Sequence, residues 1–570
     1  VPLPRSLTSH EPIGDHDLRL VAGAWPDDLG GELFVTTSEQ ATAGRHAFFG
    51  DGVLLRLSLQ PGTFGAAADR WALRGKVLDT PSRRLRERTP EVFQSGAYGT
   101  SSPYGPVNAA NTAPLPWGDR LFATWDAGRP VEVDPVSLSF LGDLGHTSCW
   151  PTFGDLPVLP YVFSSAHPII DPERDVLWTV AYDPLTQQCT VVRYGGEGGT
   201  VDTWPVADAS IPQSMHTITQ TRDWLVLVDC AFRADPNELF GGERSLTTLE
   251  DEPIYLIRKG VFDAVPPGQA VPVTAFRLAP AVNHFYAAYD DADGVRIVFE
   301  HTPDTDLAMA VREGDLDALG RPVDPALIGI YAHPAVRGTV SEVVFHPETG
   351  AVEHRSRLGD DDQLWAVQLS ALDWSREGQE RPTVHHQLFN GYRPEVIPQR
   401  YLDLYAGRID VAALPREEVP AVLTTLDRDT LKSTGSVTFS LDDYPTSPCF
   451  VPRGPGSDDA AGTSRYAGAD PGGHDGYLVL PVQSDAGFRV EVYDAAGVAD
   501  GPVATLATAD GSTLPFLIHS AWMPAAEPAD RSIERLRFAD ELDDARLATL
   551  PGDLAAAARA VAADLDDALA

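Results

Sequence analysis

An all-β fold is what this 570-residue chain predicts, on three observations. Short alternating apolar runs recur between turn signals: VLWTVAYDP, CTVVRYGG, WLVLVDC, VRIVFEH, SEVVFHPETG, YLVLPVQSD and FRVEVYDAAG. Such alternation buries one face of a strand. The 49 Gly and 48 Pro supply the tight turns that many short strands need, and 43% hydrophobic residues are enough for a sizeable core. No strict repeat is visible, so periodicity alone leaves sandwich, barrel and propeller open.

Two stretches depart from the strand pattern. Residues 453–475 (RGPGSDDAAGTSRYAGADPGGHD) read as an extended surface loop, because Gly, Asp and Ala dominate them. After the break at Pro551-Gly552, Leu554, Ala558, Val561, Leu565 and Leu569 recur at helical spacing, with Asp564, Asp566 and Asp567 off that stripe. The preceding SIERLRFADELDDARLATL has the same pattern. Residues 1–530 are therefore expected to form the β domain and 531–570 a helical tail packed on it.

A net charge of -39 argues against nucleic acid, whose phosphates such a surface repels, and allows at most peripheral membrane contact. No window has the apolar length of a membrane span, and the opening VPLPRSLTSHEP holds no apolar leader. Cys149, Cys189, Cys230 and Cys449 have no C-x-x-C spacing and read as free thiols. The expected setting is cytoplasmic. GGEGG at 195–199 lacks a following helix and reads as a hairpin turn. His385 and His386 are neighbours on a strand, so they face opposite sides and are not expected to share a metal.

Four other histidines carry more weight: His167 in SSAHPIIDP, His216 in SMHTITQT, His284 in NHFYAAYDD and His519 in PFLIHSAW. Each stands at the edge of a strand-like run, and neutral imidazoles suit iron, copper, nickel or zinc. Read singly, each is an ordinary strand histidine.

Taken in order along the chain, these contexts and others resemble the landmarks of the carotenoid cleavage oxygenase family. GAWPDDLGGELF, HAFFGDGVLLR, VNAANTAP and RPVEVDPVSLSFLG precede the first histidine, and SPCFVPR, HDGYLVLPV and VEVYDAAG precede the last. The resemblance implies a seven-bladed β-propeller with a loop and helix dome over an axial metal site. It implies that His167, His216, His284 and His519 hold Fe(II), and that O2 and an apolar alkene are the reactants. The implied reaction cleaves a C=C bond of a carotenoid-like or apocarotenoid-like polyene into two carbonyl products. Cleavage of a stilbene-like or phenylpropenyl alkene is the alternative enzyme reading, and a catalytically impaired propeller binding an apolar ligand or a partner is the third.

Departures from the family pattern fall on the carboxylates behind the histidines. The family uses glutamates there; the matching positions are Asp126 in TWDAGRP, Glu395 in YRPEVIPQR and Ser447 in TSPCFVPR. Asp126 is one methylene shorter than glutamate, and the Ser447 hydroxyl cannot replace a charge, though Asp442 or Asp443 stands close by in sequence. Where stilbene-cleaving members carry a lysine, this chain has Trp125, which favours the polyene.

Overall fold

The computed structural model describes residues 7, 13–39, 46–93, 99–195, 199–233, 235, 242, 244, 246–331, 334–359, 361, 363–371, 380–453, 474–533 and 535–569. The alternating runs form antiparallel meanders in which consecutive strands are neighbours. The first runs from Pro114–Trp117 to Phe140–Asp143 and the second from Phe163–Ser164 to Val201–Pro205. The third spans Ile218–Gln220 to Thr274–Leu278, the fourth Val282–Ala287 to Ala351–Leu358, and the fifth Val367–Ala371 to Ser433–Thr438. Separate apolar clusters fill the spaces between sheets. One joins Trp178, Val180 and Trp204 to Leu225 and Ile257, and the next joins Val226 and Ile254 to Phe285 and Phe345. Residues alternate along each strand between two such clusters, which is why the runs are apolar on both faces.

The expectation of seven separate blades needs correction. Among the described residues, five sheets of four or five strands and a separate two-stranded pairing of Ser101–Ser102 and Gly105–Pro106 stand beside one continuous ten-stranded sheet. The cause is His16–Gly23, which pairs with Trp71–Val77 on one side and with Ala504–Thr508 on the other. No free edge is left between the chain's first strands and its last. The same sheet ends in Leu517–Met523, paired with Glu32–Glu39.

One end of the ring is covered by long connections. The 3-10 turns Ala47–Phe49, Leu307–Met309 and Pro325–Leu327 and the helix Gln399–Leu404 pack through Phe48, Met309, Tyr331 and Tyr401. Residues 454–473 of the expected Gly-rich loop and 196–198 of GGEGG lie outside the described residues.

The last helix spans Gly552–Leu569 and buries Leu554, Ala558, Val561 and Leu565 of the stripe read from the sequence. They pack on Leu78, Leu85, Tyr104 and Val133 of the body. Leu569 is only partly covered, and Asp566, expected off the stripe, is buried because its carboxylate accepts the Phe538 N–H and an Arg537 N–H. The segment before it differs from the expectation. Only Phe538–Glu541 and Asp544–Leu547 are helical, one turn each. Leu542 and Asp543 are extended between them, and the Asp543 carboxylate accepts the Arg546 N–H to start the second turn afresh. Among the described residues no helix is long and apolar enough to cross a membrane. The four cysteines are free, with only Cys149 exposed.

Candidate active site

Each of the four histidines is delivered by a local irregularity in pairing. In the fourth sheet Val282 faces His301 while His284 faces Glu300, so Asn283 is an extra residue. In the ten-stranded sheet Val35 faces Ser520 and Thr37 faces Leu517, which leaves Thr36 opposite the His519 region. The Thr36 hydroxyl accepts the His519 N–H at 3.3 Å and donates its proton to the Thr112 carbonyl at 2.5 Å, with the His519 carbonyl 3.2 Å away. Such bulges turn a side chain away from the regular pleat. His167 and His216 are set by each other's backbone: the His167 N–H donates to the His216 carbonyl at 3.3 Å, and the Ser165 hydroxyl donates to the same oxygen at 3.0 Å.

The result is a cluster in which one ligand atom from each ring lies within 4.8 Å of the others. The His167 ring centroid is 4.9 Å from that of His216, 5.2 Å from that of His284 and 4.4 Å from that of His519. Burial, with the neighbouring imidazoles adding to it, holds His167 and His284 well below the ordinary histidine pKa. The same causes push His519 down to about 3. These rings are therefore neutral at neutral pH and offer lone pairs.

The residues fit a metal ion. His216 Nδ1 lies 2.8 Å from Asp126 Oδ1, which fixes the proton on Nδ1 and turns the Nε2 lone pair inward. His284 Nδ1 faces Glu300 Oε2 at 3.6 Å. The two Nε2 atoms stand 3.3 Å apart. At that distance one ring can hydrogen-bond the other, and the two nitrogens are also close enough to share one cation. His167 Nε2 is buried with no hydrogen-bond partner, another atom that a cation would satisfy.

Of the carboxylates and hydroxyls read from the sequence, Asp126 alone reaches a histidine ring. Glu395 is not brought to the cluster: it sits on the turn Pro394–Val396, where its charge acts on Arg321 and Arg393. The carboxylate beside His284 is instead Glu300, on the neighbouring strand Val295–His301. Burial pushes its carboxyl up to about 8, against the lowering influence of Ser370 and Gln387. Ser447 is buried, and its hydroxyl donates to Ser520 Oγ at 2.9 Å rather than to His519. Asp443 is engaged by Arg489, and Asp442 is exposed. The signal for Glu300 was available in VRIVFEH, where a carboxylate follows the apolar stretch Ile297-Val298-Phe299; what it faces depends on the bulge at Asn283. His385 stands behind it, with Nε2 4.0 Å from Glu300 Oε1.

A cavity of about 460 Å³ opens from His216, His284 and His519. That size lies in the range of about 300–1,000 Å³ typical of small-molecule sites. Phe48, Phe49, Trp125, Phe232, Leu307 and Ile518 line it together with Phe153, Tyr161 and Phe163. Tyr161 and Phe163 stack at 4.7 Å. Leu185, 72% exposed, belongs to the same lining. Among the described lining residues there is no Lys or Arg, and Asp126 is the single carboxylate.

The family model described as retinal pigment epithelial membrane protein (RPE65) matches residues 7–524. The chain belongs to this family. Two curated carotenoid oxygenases are similar over shorter stretches. Apocarotenoid-15,15'-oxygenase of Synechocystis sp. is 28% identical over 183 residues, covering 30% of this chain and 34% of that protein. Carotenoid cleavage dioxygenase 7, chloroplastic, of Oryza sativa subsp. japonica is 30% identical over 135 residues, 22% of each chain. The matches thus span well under two thirds of either relative's length. Solved carotenoid oxygenase structures share the fold across nearly the whole chain. A Synechocystis apocarotenoid oxygenase aligns with TM-score 0.60 at 17% identity, over 91% of this chain and 98% of its own. Pseudomonas brassicacearum lignostilbene dioxygenase aligns with TM-score 0.61 at 17% identity, over 92% and 100%. A cobalt-substituted form of the Synechocystis oxygenase aligns with TM-score 0.58 at 18% identity, over 91% and 98%.

Proposed function

We propose that this member of the carotenoid oxygenase family is a non-haem Fe(II) dioxygenase that cleaves a C=C bond of a carotenoid-like or apocarotenoid-like polyene with O2. The observation that carries the reading is the convergence of four imidazoles within 4.8 Å of one another, three of which line an apolar cavity. His167, His216, His284 and His519 would hold the ion, and no anionic side chain joins them. Bound there, iron would supply the one-electron chemistry that lets O2 react with an alkene.

The chain's own residues set the conditions for that chemistry. Asp126 orients the His216 ring and holds its Nδ1 proton. Phe232, with its ring 4.8 Å from that of His216, closes one side of the site to water. The aromatic lining positions a flat, extended hydrocarbon by contact alone, since the described lining residues offer no cationic side chain to a phenolate or carboxylate. This favours a polyene over a stilbene-like phenol.

The test is metal analysis of protein purified without oxygen, followed by O2 uptake with an apocarotenoid and with a hydroxystilbene. The expected result is one iron per chain and uptake with the apocarotenoid, both lost in His284→Ala. Uptake with the stilbene alone would overturn the substrate. Iron content unchanged in His284→Ala would overturn the site, and absence of iron after reconstitution with ferrous salt would leave a ligand-binding propeller.

A further inference from the structure

The segment after residue 524 lies beyond the family match, yet it reaches back toward the histidines. Its route is along one strand, Val131–Val133, and the turn that leads into it. The Ala529 N–H donates to Asp134 Oδ2 at 2.9 Å. Arg535 donates to Glu132 Oε1 at 2.9 Å, beside the bidentate contact that Arg120 makes with the same carboxylate. Glu541 Oε1 accepts from Arg129 Nη1 at 2.9 Å, in a pair whose side chains are only 2% and 3% exposed. The Glu541 carboxylate also accepts the Thr147 N–H. The Arg129 guanidinium is completed by the Gly145 carbonyl and by Asp143, 3.4 Å away.

Arg129 is three residues from Asp126, on the turn 124–130 that joins Arg120–Ala123 to Val131–Val133. Nothing in that turn is regular structure, so its position depends on side-chain and backbone tethers. Asn108 Nδ2 donates to the Arg129 carbonyl at 2.9 Å. The Ser164 hydroxyl donates to the carbonyls of Trp125 and Gly128, and the Ser164 N–H donates to that of Asp126 at 2.7 Å. The tail holds the outer leg of the turn, and Ser164 holds the inner one. Between them sits the carboxylate that meets His216.

We infer that residues 529–541 are a positioning element for the histidine site: through Glu541 and Arg129 they fix the turn that presents Asp126 to His216 Nδ1. The inference rests on the reading of His216 as a metal ligand. Glu541 and Arg129 touch no reactant and act through Asp126. Removing the charge of Glu541 takes away the 2.9 Å charge-assisted bond and leaves Arg129 with Asp143, 3.4 Å away, as its remaining carboxylate, so the guanidinium and the backbone that carries it shift toward that side.

Cobalt(II) titration of the metal-free full-length chain, followed by visible absorption, tests this. Glu541→Gln is expected to weaken cobalt binding about tenfold, as loss of a ligand-orienting partner does. Ile257→Ala, a core truncation in the third sheet, serves as the comparison for general destabilisation: it lowers the melting temperature at least as much while leaving cobalt affinity within about twofold of the parent. A second readout needs no metal. The Ser164 amide is expected to exchange its hydrogen about tenfold faster in Glu541→Gln and at the parental rate in Ile257→Ala. If Glu541→Gln does not fold, Glu541→Asp, which keeps the charge one methylene short, is expected to shift both readouts in the same direction. Glu541→Gln with parental cobalt affinity and parental Ser164 exchange would overturn the inference. A parental chain that takes up no cobalt would count against the metal reading alone, and Ser164 exchange would then decide the role of the tail.

Discussion

The histidine cluster has two unlike halves. His216 and His284 face carboxylates, Asp126 at 2.8 Å and Glu300 at 3.6 Å. Among the described residues no carboxylate contacts the His167 or His519 ring: the first is fixed through its backbone to the His216 strand, and the second through Thr36. Where a carboxylate stands behind a ring, it sets the tautomer and raises ligand basicity. Where only backbone tethers exist, the ring is placed but not electronically tuned. The difference teaches that geometry and basicity are separate contributions in this site, supplied by different parts of the ring of sheets.

Asp126→Asn tests the tuned half most severely. It keeps the shape of the side chain but loses the charge, and metal affinity measured by chelator competition is expected to fall about 10–100-fold. An unchanged affinity would erase the distinction between the halves. Glu300→Gln is expected to cost less, about three- to tenfold on the same measurement, because the 3.6 Å separation is longer than a hydrogen bond. A loss equal to that of Asp126→Asn would place the two carboxylates on the same footing. On the untuned half, Ser447→Ala is expected to leave affinity within about twofold, since that hydroxyl bonds Ser520 and its removal leaves the His519 ring in place. A tenfold loss there would show that the hydroxyl reaches the histidine through solvent.

The smallest expected effect is on the pH dependence of stability, through the tail. Burial raises the Glu541 carboxyl and Arg129 with Thr147 more than offsets it, leaving its pKa below the usual 4.5. A depressed carboxylate contributes stability that is fully present above the unfolded pKa and is lost as pH falls through the folded value. The parental chain should therefore lose melting temperature on acidification below about pH 4.5 more steeply than Glu541→Gln. Parallel curves would remove that contribution.

The parts legible in the sequence were those written in short contiguous stretches. The alternating runs became strands, and Leu554, Ala558, Val561 and Leu565 became the buried stripe of the last helix. The four histidines stood out through their flanking residues, and the structure brings them together. Asp126 could be counted back from Pro135 because only one short turn and one strand intervene. Glu300 was not legible in this way. Its facing His284 depends on a cross-strand register shifted by one residue at Asn283, and no local pattern in either strand records that shift. Glu395 illustrates the converse: a motif can persist while its loop carries it to Arg321 and Arg393. The joined ten-stranded sheet was likewise hidden, since the partners Leu18–Gly23 and Ala504–Thr508 come from opposite ends of the chain.

That end-to-end pairing also orders events during synthesis. A chain halted before residue 504 already contains His167, His216 and His284, but it lacks the strand that closes the ring against His16–Gly23 and the strand that carries His519. The fourth imidazole is therefore translated last and arrives with the closing strands, so the complete ligand set exists only in a chain that also carries the strands able to close the circle.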